Sequence, residues 1–502
     1  MKNRENASKW TVWGLLLGLF LSSLDQTIVS TAMPSVVSQL GGFSYYSWVF
    51  TVYMLASTTT MPVYGKLADL WGRKKMMIIG LSLFLAGSAL CGFASGMTEL
   101  IVFRGIQGLG AGALMPISMT IVADLYPPEQ RGKFMGLFGA VVAVSSIFGP
   151  SLGGVIVDYW HWGWIFFINI PLGLFALVIV TVTFKESGLR DRRPVDWPGA
   201  LTLSAGIVSL LLAMVLGGDN STGGSTYDWT SPVILSLFMG GGILLAAFLW
   251  IETRAAEPIL PLGLFKVRAI GVGNAVGFFV SAGMFGAIVY IPLFVQGVIG
   301  VSSSISGYIL TPLMLSVIVT SIAAGKLMIH FSYRSILIAS LILMSIGFLL
   351  LTGISPETTK TRIIVDMIIV GLGMGAVYPT VGTAAQNAVD SSRMGVATAS
   401  SQFFRSIGGT IGVSVFGSFM STQLNSGMTG LLGKLDSPAN PQMLLDSNVR
   451  NTLPMDVVNE LEIVFSGAIQ HVFWGAVICV AAGLIASMML GNARLPSAKL
   501  KR

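Results

Sequence analysis

Long apolar runs broken by short polar intervals dominate this chain. A helix needs about 20 mostly apolar residues to cross a bilayer. Fourteen stretches meet that need, at roughly 11–33, 45–69, 76–95, 98–122, 133–157, 163–184, 197–217, 232–252, 269–293, 302–329, 334–353, 362–388, 394–421 and 467–491. Most connections are short. The longest, 422–465, lies between the last two stretches, and after Pro454 the residues Val457, Leu461 and Val464 share one helical face. That pattern predicts a short helix or hairpin at the membrane surface, separate from the final span.

Composition places these helices in a membrane. Hydrophobic residues make up 53% of the 502 and charged residues only 10%, with a mean hydropathy of +0.79, where ordinary globular domains carry about a quarter charged residues. Lys and Arg concentrate on the cytoplasmic side of short loops. With the N-terminus inside, 23 of the 29 Lys and Arg fall in cytoplasmic segments, four (Lys360, Arg362, Lys434, Arg450) fall outside, and Arg104 and Arg405 lie within spans. An even number of spans keeps the basic C-terminus inside too. The formal charge of +7 therefore reports topology and attraction to anionic lipid, and no nucleic-acid partner is expected. Cys91 and Cys479 fall in separate spans and imply no disulfide framework. The first apolar run continues through Asp25 without a small-residue cleavage pattern, so it reads as a span and not as a removed signal.

An internal repeat organises the spans. GLGAGALMP at Gly108–Pro116 recurs as GLGMGAVYP at Gly371–Pro379, an offset of 263 residues. The same shift carries Gly132 onto Gly395 and Gly149 onto Gly412, and Gly65-Lys66-Leu67 recurs at Gly325-Lys326-Leu327 with an offset of 260. Six spans with short loops need only roughly 190 residues, so about two extra helices sit between the copies. The expected organisation is an all-α membrane protein: a six-helix bundle over 1–190, two inserted helices over 191–266, and a second six-helix bundle over 267–502 carrying the external loop 422–465. Duplicated bundles can rock about a central site. The copies diverge in charge, since Asp69, Gly72 and Arg73 align with Ile329, Ser332 and Tyr333.

The segment GKLADLWGRKK joins the second and third spans. Gly65 and Gly72 permit close approach and tight turning, Asp69 can stabilise the N-terminus of a neighbouring helix, and Arg73 can pair with Asp124 at the cytoplasmic end of the fourth span. The basic residues of this turn also enforce topology. The fifth span carries Gly149-Pro150 and Gly153-Gly154, where proline removes a backbone donor and the glycines admit a close helix. With SLDQTIVSTAMP (Ser23–Pro34), FRGIQGLGAG (Phe103–Gly112), IFGPSLGG (Ile147–Gly154) and WIFFINIPLG (Trp164–Gly173), the chain resembles the major facilitator superfamily over nearly its whole length. Within it, the chain is similar to the fourteen-helix drug/proton antiporters of the QacA and EmrB type. The resemblance implies the major facilitator fold, a conformational latch made by Gly65, Asp69, Gly72, Arg73 and Asp124 that closes the cytoplasmic side in the outward-open state, and an antiporter motif at Gly149, Pro150, Gly153 and Gly154.

Ionisable side chains inside a bilayer are costly and are functional candidates by default. Asp25 lies roughly 21 Å from the inner end of its helix and Arg104 roughly 9 Å from the outer end of its own, similar depths in a layer about 30 Å thick. Asp25 and Arg104 are thus the candidate proton-coupling pair, because a carboxylate's hold on a proton depends on its distance from a guanidinium that moves with the bundles. A permanent ion pair that only stabilises packing is the alternative. Arg405, near mid-membrane, is either a charge partner in the second half or a binder of an anionic group; Asp366 sits only about 6 Å inside its helix and reads as interfacial. Candidate substrate-binding positions are Gln26, Tyr53, Asn169, Asn274, Phe278, Tyr290, Tyr378, Gln386, Phe404 and Arg405.

The expected function is proton-coupled export of amphipathic drugs or toxic organic compounds across the cytoplasmic membrane by alternating access, with protons, membrane lipids and amphipathic small molecules as partners, both termini cytoplasmic, and a monomer as the functional unit. Export of an endogenous lipid, lipid-linked sugar or metabolite is the alternative within the same fold. No enzyme activity, cofactor or metal is expected: His161, His330 and His471 lie at different helix ends, and the cytoplasmic loops hold no GxxxxGK[ST] nucleotide loop, which leaves an ion gradient as the energy source. A receptor that has lost transport is a further class, against which the retained Asp25, Asp69, Arg73 and Arg104 argue.

Overall fold

The computed structural model describes residues 2–126, 128–184, 196–217, 227–255, 258, 262–389, 394–429, 444, 445, 450 and 454–492. These form α1 (Lys2–Leu40), α2 (Tyr46–Trp71), α3 (Arg73–Gly92), α4 (Met97–Leu125), α5 (Pro128–Tyr159), α6 (Trp164–Phe167), α7 (Asn169–Thr183), α8 (Trp197–Leu216), α9 (Pro232–Glu252), α10 (Arg268–Gly297), α11 (Ser303–His330), α12 (Tyr333–Leu351), α13 (Lys360–Met374), α14 (Val377–Asn387), α15 (Met394–Thr429) and α16 (Met455–Met488). The only extended pairing among the described residues is an isolated bridge between Gly217 and Tyr227. Helices suit this chain because lipid offers no partner for an open backbone group.

Local signals set the boundaries. Asp196, Ser231, Ser332 and Thr359 cap α8, α9, α12 and α13 by accepting from backbone N–H groups, and Gly72 turns the chain between α2 and α3 at φ 99°. Each of the fourteen apolar stretches is helical. Twelve helical segments among the described residues are long and apolar enough to cross a membrane. The two stretches outside that set lie in α2, with Thr58-Thr59-Thr60, and α15, with seven serines and threonines before residue 419, and these polar side chains lower their hydropathy. The surface between the ends is apolar: Val182, Ile243, Ile322 and Ile478 are all more than half exposed, and a face of that kind needs lipid as its solvent.

The loop prediction needs correction at its end. Among the described residues no separate surface helix follows Pro454; α16 starts at Met455 and runs unbroken to Met488. It buries Val458, Leu461 and Phe465, one residue out of register with the predicted face at two positions, because a continuous helix must keep the stripe of the bundle it joins. Residues 430–443 of the same loop lie outside the described residues.

The chain divides into two compact units, Met1–Ile259 with Val301–Gly307 and Leu445–Asn448, and Leu260–Gly300 with Tyr308–Leu444 and Val449–Arg502. In the first, α3 and α4 pack closely, α2 packs on α4, and α1 on α5 and α7, around a core that includes Leu81, Phe84, Leu114 and Ile121. The pair α8 and α9 packs together and meets α2, where the Ser204 hydroxyl donates to the Thr59 carbonyl (3.2 Å). In the second, α10 packs on α15 and α16, and α12 on α13 and α16.

The repeated glycine motif makes the same contacts in each unit. Gly108 and Gly112 rest on the carbonyls of Tyr53 and Ser57 in α2, while Gly110 rests on the backbone of Phe84 in α3. Gly371 and Gly375 rest on the carbonyls of Leu313 and Val317 in α11, while Gly373 rests on the backbone of Met344 in α12. Every partner is displaced by the 260-residue offset that relates Gly65 to Gly325. A Cβ at any of these six glycines would strike backbone, so the glycines are required by helix approach.

Candidate functional site

The first unit buries a polar cluster in its middle. Asp25 on α1 is fully buried and Arg104 on α4 is 1% exposed. Arg104 Nη1 donates to Asp25 Oδ2 at 2.5 Å and to Gln107 Oε1 at 2.7 Å. The other carboxylate oxygen, Oδ1, accepts from Gln107 Nε2 (2.8 Å) and Asn169 Nδ2 (3.2 Å). Asn169 also donates to the Ser88 hydroxyl (3.0 Å), which donates to the Phe166 carbonyl (2.9 Å). Aromatic faces seal the cation, with the Tyr53 ring 4.0 Å and the Phe166 ring 5.7 Å from the guanidinium carbon. The Tyr53 hydroxyl shares a 3.5 Å contact with Ser22, and Gln26, half-buried, follows Asp25 on α1.

The structure therefore brings Asp25 and Arg104 into direct contact and adds Tyr53 and Asn169 to their surroundings, two positions the sequence suggests only for substrate. Gln107 and Ser88 were not foreseen. Gln107 had a signal, since it lies one turn beyond Arg104 on the same helix face; Ser88 had none. Gln107 reaches the cluster because Gly87 leaves room, a Cβ there striking the Gln107 backbone.

At the start of α3, Arg73 pairs with Asp124 at the end of α4 and donates to the Thr120 carbonyl (3.2 Å). Both side chains are partly exposed, at 24% and 31%. Gly72 fits its predicted turning role. Gly65 does not: it lies inside α2 and nothing approaches a Cβ built there within 4 Å, so close approach is not its role here. Asp69 is helical, but its side chain lies outside the described residues. In the second unit the equivalents of Arg73 and Asp124 are Tyr333 and Asn387, and Asn387 Nδ2 donates to the Tyr333 hydroxyl at 2.8 Å. The contact is repeated and the charge is gone.

On α5, Gly149 and Gly153 lie against Thr27 and Ile28 of α1, and Gly154 against the Ser303 carbonyl within the 301–307 stretch of the same unit. Pro150 stands inside the helix.

The second unit holds the other substrate candidates. Phe278 and Phe404, with Phe265, Phe279 and Asn274, line a cavity of about 290 Å³, and Asn274 Nδ2 donates to the Ser400 hydroxyl (2.8 Å) while its Oδ1 accepts from Ser401 (2.9 Å). Tyr378 shares a 2.9 Å hydrogen bond with Ser281 and lies under Arg405, whose guanidinium carbon is 4.1 Å from the ring centre. Gln386 donates to the Thr398 hydroxyl (3.1 Å), and Tyr290 is buried within α10. Asp366, read from the sequence as interfacial, is 3% exposed and lies 4.0 Å from Arg362; its helix starts outside the core, but α12 covers this face.

Residues 15–413 match the model of the Major Facilitator Superfamily. The chain belongs to that superfamily. A relative from it, the Multidrug transporter protein MdtP of Bacillus subtilis (strain 168), is 41% identical over 99% of this chain and 96% of its own length. Multidrug resistance protein 3 of the same organism is 38% identical over 98% and 97%. Among solved structures, a bacterial homolog of the human lysosomal transporter Spinster covers 98% of this chain and 99% of its own with a TM-score of 0.66 at 14% identity, a likeness of fold alone. The superfamily fold and the apolar helices make this a multi-pass membrane protein.

Proposed function

We propose that this protein exports amphipathic drugs or other toxic organic compounds across the cytoplasmic membrane in exchange for protons. The observation that carries the coupling is the fully buried Asp25–Arg104 pair. The two multidrug relatives, which match almost the whole chain, support the choice of cargo. Three donors converge on the Asp25 carboxylate, and their hold on it depends on its negative charge. Protonation then releases Arg104, Gln107 and Asn169, side chains on two further helices, and links a proton to a rearrangement of the bundle. The Arg73–Asp124 contact is exposed enough to be worth about 0–1 kcal/mol, weak enough to open and close in each cycle. Fourteen spans with both termini cytoplasmic, a monomeric unit and a purely transporting, non-enzymatic role complete the reading.

Efflux from proteoliposomes under an imposed proton gradient tests it, with Asp25→Asn reconstituted in parallel. Gradient-driven efflux in the parent and its loss in the variant, with substrate binding retained, is the expected result. Equal efflux in both would move coupling away from Asp25. Absence of drug flux from the parent would make a lipid or metabolite the cargo.

A further inference from the structure

Two arginines lie inside spans, and their surroundings differ. Arg104 has a carboxylate, an amide and a carbonyl as acceptors. Arg405 has none: among the described residues its guanidinium makes no hydrogen bond and no ion pair, and it lies over the face of Tyr378. The packing explains why. Arg405 is the only charged residue of α15, α14 has none, and α10 has only Arg268 at its first position. On α16 the acids Asp456, Glu460 and Glu462 fall in the first two turns, and Glu462 is held by Arg450. Arg405 lies roughly 17 Å along α15 from Met394, close to the middle of a bilayer. Five donors on a fixed cation at that depth are costly to leave without an acceptor.

We propose that Arg405 binds the anionic group of an amphipathic organic anion, a carboxylate or phosphate held by paired N–H donors. Its apolar body occupies the phenylalanine cavity. The two parts share helices α10 and α15. Gly408, three residues beyond Arg405, rests on the backbone of Phe278, which lines the cavity, and the Tyr378 ring beneath the guanidinium is tied by its hydroxyl to Ser281, one turn along α10 from Phe278. The sequence leaves two roles open for Arg405, a charge partner or an anion binder; the lack of any acid on α10, α14 and α15 favours the second. This inference rests on the export reading above and names a substrate class for it.

The test is equilibrium binding to the purified full-length protein of radiolabelled cholate, an amphipathic carboxylate, beside tetraphenylphosphonium, an apolar cation. Arg405→Gln is expected to weaken cholate binding about tenfold or more and to leave tetraphenylphosphonium within about twofold, which also reports an intact fold. Arg405→Lys keeps the charge without the paired donors and should fall between. Reconstitution in phosphatidylcholine with and without phosphatidylglycerol separates the two sources of anion: competition by phosphatidylglycerol in the parent but not in Arg405→Gln assigns the site to lipid phosphate, and no competition assigns it to the exported anion. Equal loss of both ligands in Arg405→Gln, or cholate binding unchanged by it, overturns the proposal. Binding and gradient-driven efflux of the cation without any binding of cholate by the parent would overturn it while leaving drug/proton antiport standing.

Discussion

Asp25 accepts from side chains on α4 and α7 while itself riding on α1, so one residue ties three helices together. Removing one member of a buried ion pair strands the other charge, at a cost of about 3–5 kcal/mol. Arg104→Leu is therefore expected to lower the thermal unfolding temperature in detergent markedly, and Asp25→Leu/Arg104→Leu to lower it less than Arg104→Leu alone. A double variant no more stable than the single one would show that the pair is not coupled. Asp25 and Arg104 were legible because each is an ionisable residue at a similar depth of an apolar span. Gln107 and Ser88 were not, since an uncharged polar residue in a membrane helix has many packing roles and only the facing helix selects among them.

At the scale of elements, the glycines that repeat between the units are places where two helix backbones meet. Gly110→Val and Gly373→Val push side chains into the backbones of α3 and α12 and should each destabilise by about 1–3 kcal/mol, read by detergent thermal unfolding. Gly65→Ala meets nothing and should leave the unfolding temperature nearly unchanged. The turn between α2 and α3 carries a related contrast. Exchanging Arg73 and Asp124 for the Tyr and Asn that stand at the equivalent places in the second unit preserves a neutral contact of the kind Asn387 makes with Tyr333. That double exchange should hold the stability of the parent within about 1 kcal/mol, yet slow efflux if charge is what the latch requires. The repeat was legible because glycine spacing is imposed by approach distance; the reach of α16 was not, because an apolar stripe does not tell a separate surface helix from the first turns of a longer one.

At the scale of the whole molecule, the prediction concerns topology. Membrane-impermeant maleimide decides it on a background in which Cys91 and Cys479 are replaced. Fourteen spans with the N-terminus inside require a cysteine introduced at Lys434 or Asn220 to label in intact cells, and one at Arg192 to label only after permeabilisation. Labelling of Asn220→Cys only after permeabilisation would remove the inserted pair as two full crossings. The polar content of α2 and α15, which keeps both out of the twelve most apolar helices, is concentrated on the two helices that carry Tyr53 and Arg405. Spans that line a polar interior are expected to read as the least apolar ones.

From sequence alone followed the class of the protein, its duplicated plan and the positions of its intramembrane charges. Each of these depends on a quantity that accumulates along the chain: apolar length, the offset between repeats, and depth at a fixed rise per residue. Only the tertiary structure decided partnership. That Asp25 meets Arg104 directly with two amides beside it, that Tyr333 and Asn387 keep a contact whose charged form is Arg73 and Asp124, and that Arg405 has an aromatic face but no acid, all depend on which helix faces which. Helix faces are matched across tens to hundreds of residues by close packing, and local pattern does not encode that match.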